Sequence, residues 1–415
     1  MATRISEVAV VGAGPYGLSA AAHLSAKGPT PAVFGGSMET WREGMPRGMR
    51  LKSEGFASNL SEPSGGFTLK AFCEAEGRPY ADANRPIEVD TFVAYGDAFQ
   101  RRFVPQLDIR RVTHIGSAPG GFALELDDGE AVVARKVVVA TGLRAFRQIP
   151  AALAGLSSRR VSHSGDRSDY SGFAGARVMV VGAGASATDV AAELAREGAE
   201  VTLVCRAPEL RFFPGGFERR RLDAMISPMT PVGPGWKKWI VVTFPGHFHR
   251  LPESLRVWAV ENSLGPAPGW FIRAEIEGKV AILSGSTIVS AREAAGAVDV
   301  EIASANGARQ TLQVDHVFAG TGYRVDVDRL AFLDPDLARS LRRVEGAPKL
   351  SANFESSVPG LYFVGAAAAY EFGPVSRFVC GADFAARRVA ASIASALGAR
   401  ARASGERPAA VLANS

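Results

Sequence analysis

Short apolar runs that stop at glycine recur along this chain. Residues 7–11 form the first, ending in Gly12-Ala13-Gly14-Pro15-Tyr16-Gly17; an Ala-rich stretch to residue 27 and a second apolar run over 31–34 follow. Consecutive apolar residues bounded by glycine suit a strand buried on both faces, and a small-residue stretch of a dozen suits a helix packed closely upon it. The pattern predicts strand, tight turn, helix, strand. It returns about 170 residues later: residues 177–181, then Gly182-Ala183-Gly184-Ala185-Ser186-Ala187, an Ala-rich helix to about 197, and a strand over 200–204.

Two more runs, 136–141 (KVVVAT) and 316–321 (HVFAGT), read as buried strands stopping at Gly142 and Gly322. Each follows hairpin-like material: 122–126 with the turn Asp127-Asp128-Gly129, and 297–314 with Asn306-Gly307. A last strand is predicted over 361–364, before Gly365, and a closing helix from about 376 to 395. The Ala-, Arg-, Ser- and Pro-rich residues from Gly398 onward are expected to be a mobile tail. Residues 207–270 break the alternation. They hold four of the five tryptophans, and they read as an irregular, partly helical insertion after the second strand of the second unit, packed over a cleft.

Composition changes the picture little. With 415 residues, 47% of them hydrophobic and 21% charged, the chain has the make-up of an ordinary two- or three-domain globular enzyme. The net charge of +5 is too slight to argue for nucleic acid and suits an anionic cofactor or substrate. The cysteines Cys73, Cys205 and Cys380 lie far apart in sequence, which excludes a disulfide scaffold, a Cys-x-x-Cys redox pair and a four-thiolate zinc site. Scattered thiols, no apolar leader and no run long enough to span a bilayer predict a cytoplasmic protein without an integral membrane segment.

A glycine turn between strand and helix lets backbone N–H groups and the positive helix end approach a pyrophosphate. One such turn is a weak signal; two in the same strand–turn–helix context predict two bound dinucleotides. In this kind of unit the residue ending the second strand meets the adenosine ribose, where an acid prefers a free 2′-hydroxyl and Arg accepts a 2′-phosphate. Arg206 follows Cys205 there in the second unit, which favours NADPH, and the small Ala187 agrees. The first unit has Phe34-Gly35-Gly36 at that position, leaving Ser37, Glu39 and Arg42 as polar candidates.

Taken together, GAGPYG at 12–17, TWR at 40–42, VVVATG at 137–142, VMVVGAGASATDVAAEL at 178–194, FAGTGY at 318–323 and the long segment 359–390 carry a resemblance. The chain resembles the flavin-dependent monooxygenases of the two-dinucleotide class, which includes flavin-containing, Baeyer–Villiger and lysine/ornithine N-hydroxylating enzymes. Only the 207–270 insertion falls outside that likeness. The resemblance implies an α/β fold of two Rossmann-like dinucleotide-binding domains, the NADPH domain inserted into the FAD domain. The expected boundaries are 1–160 for the first part of the FAD domain, 170–312 for the NADPH domain, 313–397 for the second FAD part and 398–415 for the tail.

The same resemblance implies site residues. Gly12, Gly14 and Gly17 would face the FAD pyrophosphate, Trp41 and Arg42 would lie along the flavin, and Thr141, Gly142, Gly322 and Gly365 would sit at cofactor-facing turns. Gly373 and Pro374 would bring the C-terminal helix toward the flavin ring, and Gly182, Gly184, Ser186 and Arg206 would hold NADPH. Asn59 resembles an amide that flavin-containing monooxygenases place near the flavin and is the catalytic candidate. The implied activity is NADPH- and O2-dependent oxygenation of a small-molecule heteroatom, by N-hydroxylation or S-oxidation, through a flavin peroxide. Two readings compete with it: an NADPH-dependent flavin reductase or oxidase, and a non-catalytic flavoprotein that senses redox state. His163 stands eight residues after Gly155, a spacing unlike the Baeyer–Villiger fingerprint, and reads as structural. His247 and His249 lack a neighbouring acid cluster, so no metal site is expected. The basic, aromatic 236–250 stretch reads as a pocket wall or cap, and an oligomer of identical chains is compatible with the sequence.

Overall fold

The computed structural model describes residues 4–213, 226–263, 265 and 267–404. Their strands, in chain order, are β1 Arg4–Val11, β2 Ala32–Phe34, β3 Leu107–Asp108, β4 Val112–Ala118, β5 Gly121–Leu126, β6 Ala131–Val139, β7 Val161–His163, β8 Arg177–Val181 and β9 Glu200–Val204. They continue with β10 Ala281–Leu283, β11 Ser286–Ala294, β12 Ala297–Ser304, β13 Arg309–Val314, β14 His316–Ala319, β15 Arg343–Val344, β16 Ala347–Pro348 and β17 Leu361–Phe363.

β1 is the axis of the first sheet, whose order is β3-β2-β1-β6-β5-β4 with β17 also on β6. β1 pairs in parallel with β2 (Val11 opposite Phe34) and with β6 (Val11 opposite Val139). β6 divides its outer edge. Its first half, Ala131 to Ala134, takes the antiparallel hairpin strand β5, and its second half, Val137 to Val139, takes β17 in parallel. The hairpin therefore leaves the sheet where the C-terminal strand enters it. Helix Pro15–Ala26 lies on this sheet and packs against the C-terminal helix Ala382–Ser404. Ala20 and Ala21 are fully buried in the first of these helices, and residues that small permit the close approach the sequence pattern implied.

Five parallel strands, β10-β9-β8-β14-β7, make the second sheet. Helix Ala185–Arg196 buries Val190, Ala191 and Leu194 against Val180, Leu203 and Phe318. On the other face the antiparallel β11-β12-β13 layer packs Val298, Val300 and Ile302 onto Met179 and Val317.

Three expectations are corrected here. β14 falls in the segment 313–397 that the sequence reading gave to the first unit, yet it is hydrogen-bonded between β8 and β7 and so belongs to the second sheet. β7, before residue 170, belongs there too. The closing helix begins at Ala382, not near 376, because residues 374–381 are taken up by two tight 3-10 turns, Pro374–Arg377 and Val379–Gly381. It continues through Gly398 to Ser404, where a tail was expected; residues 405–415 of that tail lie outside the described residues. The insertion is helical as predicted, with Trp236–Thr243, Pro245–Phe248 and Glu253–Asn262, although residues 214–225 of it are also outside the described set.

Two buried histidines brace the second sheet. His316 sets Nδ1 3.1 Å from the Arg159 carbonyl and Nε2 3.0 Å from the Ser162 hydroxyl, so Nδ1–H donates and Nε2 accepts. His163 donates Nε2–H to the Gly322 carbonyl and accepts the Gly165 N–H at Nδ1. Burial holds both imidazoles down at about 4, against the upward pull of those carbonyl contacts. Since the folded value is below the unfolded one of about 6.5, the unfolded chain takes up the proton first. The stability contributed by the neutral rings is whole above about pH 6.5 and is lost as pH falls toward 4. Urea unfolding at pH 7 and pH 5 should show a loss of about 2 kcal/mol per histidine. His163→Gln should remove one histidine's share of that pH dependence; an unchanged slope would refute the assignment.

Candidate functional site

The carboxyl ends of β1, β2, β6 and β17 open into one cavity of about 550 Å³. Ligands of open α/β sheets bind at this edge because the strand ends and helix N-termini converge there. Gly12 and Gly14 stand on its wall between β1 and the helix. Gly12 donates its N–H to the Phe34 carbonyl (2.8 Å), and a Cβ on it would fall 2.5 Å from the Ala140 carbonyl oxygen. A Cβ on Gly17 would fall 1.8 Å from the Gly12 carbonyl oxygen. These two glycines therefore close the turn. Gly14 differs: a Cβ there meets nothing within 4 Å, and the helix it precedes has no side-chain cap at its N-terminus.

The second turn repeats this geometry. Gly182 donates its N–H to the Val204 carbonyl (2.9 Å), and a Cβ on it would fall 2.3 Å from the Gly320 carbonyl oxygen. Gly184, likewise without a side-chain cap, precedes helix Ala185–Arg196; Ser186 is half-buried in its first turn, and Arg206 is exposed just beyond β9. Ala187 packs onto Gly320, so the third small residue of this turn serves helix–strand contact.

Of the other expected site residues, Trp41, Thr141, Gly142 and Gly365 line the large cavity. Trp41 meets Phe92 edge-on, 4.7 Å between centroids. Gly17 lies beneath the turn. Arg42 is turned away and gives two hydrogen bonds to Asp97, at 2.9 and 2.8 Å, on the rim of a shallower depression. Gly322 carries the His163 contact instead of lining the cavity. Gly373 and Pro374 stand back from it as well, because the tight turns after them advance Ser376, Arg377, Phe378 and Val379 to the wall. Asn59 does not line it either. Its amide N–H donates to the Phe56 carbonyl (3.0 Å) and its oxygen accepts the Leu69 N–H (2.8 Å), so it ties a loop to the start of helix Leu69–Ala75. That placement ties Asn59 into the loop and sets it apart from the lining of the cavity.

The sequence reading missed the charge of the wall. Arg111, Arg144, Arg147 and Arg377 line the cavity, against Glu39 as the one acid among its described lining residues. Glu39 pairs with Arg111 and, at 3.0 Å, with Arg144; Arg147 pairs with Asp166. Burial pulls the Arg147 and Arg377 guanidinium groups below the usual arginine range. No motif announces these arginines, because they come from three separated loops that only the parallel strands bring together. Such a wall is suited to a phosphorylated ligand. Glu39, from the helix after β2, is the acid that reaches the cavity wall beyond the end of that strand, where Gly35 supplies none.

Two parallel α/β units, each with a glycine turn beneath a helix N-terminus, define a dinucleotide-handling oxidoreductase scaffold. The chain belongs to the pyridine nucleotide-disulphide oxidoreductase family, whose profile matches residues 9–228. Indole-3-pyruvate monooxygenase YUCCA1 of Oryza sativa subsp. japonica is 31% identical over 219 residues, 49% of this chain and 48% of that protein. A ferredoxin–NADP reductase of Gluconacetobacter diazotrophicus is 28% identical over 273 residues, 64% and 63% of the two chains. The chain thus spans about half the length of the first relative and under two thirds of the second. Among solved structures, the ornithine N-hydroxylase of Kutzneria sp. 744 superposes with a TM-score of 0.73 at 19% identity, over 95% of this chain and all of that one. The likeness to flavin-dependent monooxygenases read from the sequence is borne out by these matches.

The glycine geometry predicts a split between stability and binding. Gly14→Val should leave the melting temperature of the cofactor-free chain nearly unchanged and abolish flavin retention. Gly17→Ala, pressed against backbone, should cost about 3 kcal/mol of stability. Thermal melts and flavin content of the two purified variants check this. Normal flavin content in folded Gly14→Val would contradict the assignment of the turn.

Proposed function

We propose that the protein is an NADPH- and O2-dependent FAD monooxygenase that oxygenates a heteroatom, nitrogen or sulfur, of a small molecule in the cytoplasm. The observation that carries this reading is the duplicated glycine turn, with the first copy opening onto an arginine-lined cavity. On this reading the chain forms two Rossmann-like domains, the NADPH domain of about 161–319 inserted into an FAD domain built from the residues on either side.

The residues present fit both cofactors. Open space above Gly14, an uncapped helix N-terminus and the guanidinium groups of Arg111 and Arg144 suit the FAD pyrophosphate. Glu39 suits the adenosine ribose, Trp41 and Thr141-Gly142 the flavin side, and Gly365-Ala366 the chain between ring and phosphate. Gly182, Gly184 and Ser186 suit the NADPH pyrophosphate, with Arg206 toward the 2′-phosphate. Once bound, FAD supplies the hydride acceptance and oxygen activation of the reaction. The chain's own task is to hold the two cofactors face to face and keep water from the flavin edge. Helix Pro245–Phe248, which rests on the C-terminal segment through Phe248 and Ala369 and follows helix Trp236–Thr243, suits that role.

A second reading, a reductase of disulfides or electron carriers, has the family name and the ferredoxin–NADP reductase relative in its favour. The thiols speak against a disulfide exchange route. Burial pushes Cys73 and Cys205 up and Cys380 up to about 12, so none is a thiolate nucleophile at neutral pH. The test is incubation with NADPH, 18O2 and a pool of amines and thioethers. Products heavier by one labelled oxygen support the monooxygenase; NADPH oxidation that needs only an added electron acceptor supports the reductase. Arg206→Ala should raise the KM for NADPH about 10- to 100-fold and leave that for NADH nearly unchanged, as expected for one charge-assisted phosphate contact. Equal effects on both would show Arg206 to be a surface residue only.

A further inference from the structure

A second cavity, of about 200 Å³, lies where the loop after helix Glu39–Glu43, the insertion and the C-terminal segment meet. Lys52, Ser53 and Glu54 form one side, Phe213 another, and Met229 to Pro234 with Lys238 the third. Phe378 lines this cavity and the large one alike, so the two adjoin. Resting on the monooxygenase reading, we infer that this cavity seats the substrate, that the substrate is a small organic anion with an apolar body, and that Lys52 and Lys238 bind its charge.

Apart from its charged groups, the lining is chiefly apolar: Phe213, Met229, Pro231, Val232, Pro234 and Phe378. Into this wall project two ammonium groups, each 5.7 Å from the centroid of the same Phe213 ring. Lys52 spends one N–H on the Ala267 carbonyl (2.9 Å), which among the described residues leaves two for a ligand. The loop between Met229 and Lys238 is built tightly against these groups. Gly233 has φ +105°, and a Cβ on it would fall 2.9 Å from Lys238 Nζ and 3.0 Å from the Phe213 ring. Thr230 fastens the loop by donating its hydroxyl to the Gly233 carbonyl (2.6 Å).

Among the described residues, the nearby acids offset the two lysines only in part. Glu54 accepts the Asn84 N–H (2.8 Å), and burial pushes its carboxyl up. Asp189, which faces Lys52 from helix Ala185–Arg196, is pushed up to about 7 by burial and so is only partly ionised at neutral pH. Burial lowers both lysines; Asp189 draws Lys52 back up, and Lys238 lowers it by repulsion. Desolvated cations short of counter-charge are relieved by an entering anion. A dinucleotide phosphate is the other source of such a charge. The residues of the second glycine turn and Arg206 are absent from this lining, however, whereas the flavin-side residue Phe378 is present. The position therefore suits a molecule to be oxidised.

The test uses the FAD-loaded full chain and calorimetric titration with benzoate and phenylacetate, each beside its neutral primary amide. The carboxylates should bind at least about 10-fold more tightly than the amides, the scale of one charge-assisted hydrogen bond. Lys52→Met and Lys238→Met should each weaken carboxylate binding by a similar factor, while Lys52→Arg and Lys238→Arg should retain most of it. Equal affinity for acids and amides would overturn the inference. So would Met variants that raise the KM for NADPH with carboxylate affinity intact, since the lysines would then serve the dinucleotide. Failure of NADPH to reduce the flavin, with lysine-dependent carboxylate binding preserved, would instead sink the monooxygenase reading and leave the anion site standing.

Discussion

Three strand ends meet at one glycine in each sheet, and there is no room for a methyl group between them. Gly12 gives its N–H to the end of β2 and its Cα face to the carbonyl just past β6; Gly182 does the same with the end of β9 and the carbonyl just past β14. This contact sets how close the following helix comes to the sheet and where its N-terminus points. In both units the helix starts without a side-chain cap, and in the first it is directed at open space, a consequence of backbone packing. The cavity exists because the turn closes so tightly beneath it.

The far wall of that cavity is fastened back to the same turn. The Tyr16 hydroxyl lies 2.8 Å from the Phe378 carbonyl and 3.0 Å from that of Ser376, linking the start of the chain to a segment some 360 residues later. Burial pushes its phenol well above the usual tyrosine range, so the group stays a proton donor. Arg377, in the same segment, reaches the carbonyls of Val260 and Ser263 in the insertion. Glycine turn, tight turns and insertion are thus joined in series, and the two cavities share Phe378 at the junction.

The insertion has its own buried anchor. Glu371, almost wholly shielded from solvent, sits 3.0 Å from Arg256 and 3.0 Å from His249, while Arg256 also donates to the carbonyls of Tyr370, His249 and Leu251. His249 stacks on Phe372. A buried ion pair adds little net stability, but breaking one partner strands the other charge in a low-dielectric site, so the pair holds the helices in one arrangement. Trp236, Ile240 and Trp258 remain exposed on this insertion. Among the described residues, no helix is long and apolar enough to cross a membrane.

The sequence by itself determined the strand–turn–helix units, since a buried parallel strand must be continuously apolar and only glycine tolerates the contacts at Gly12, Gly17 and Gly182. Those requirements are local, so they leave a readable pattern; the strand 200–204 was legible to the residue. It also pointed to the second unit and to Trp41, Thr141 and Gly365 at the first cavity. It could not show that β14 and β7 join the second sheet, because a four-residue apolar run carries no mark of which ladder it enters. Nor could it show that Asn59 spends its amide on Phe56 and Leu69, or that residues 374–381 fold as tight turns before the helix. The arginine wall and the Lys52–Phe213–Lys238 cavity were wholly out of reach of the pattern. Each gathers side chains from loops dozens of residues apart, and only the packing of two sheets, an insertion and a C-terminal segment sets them side by side.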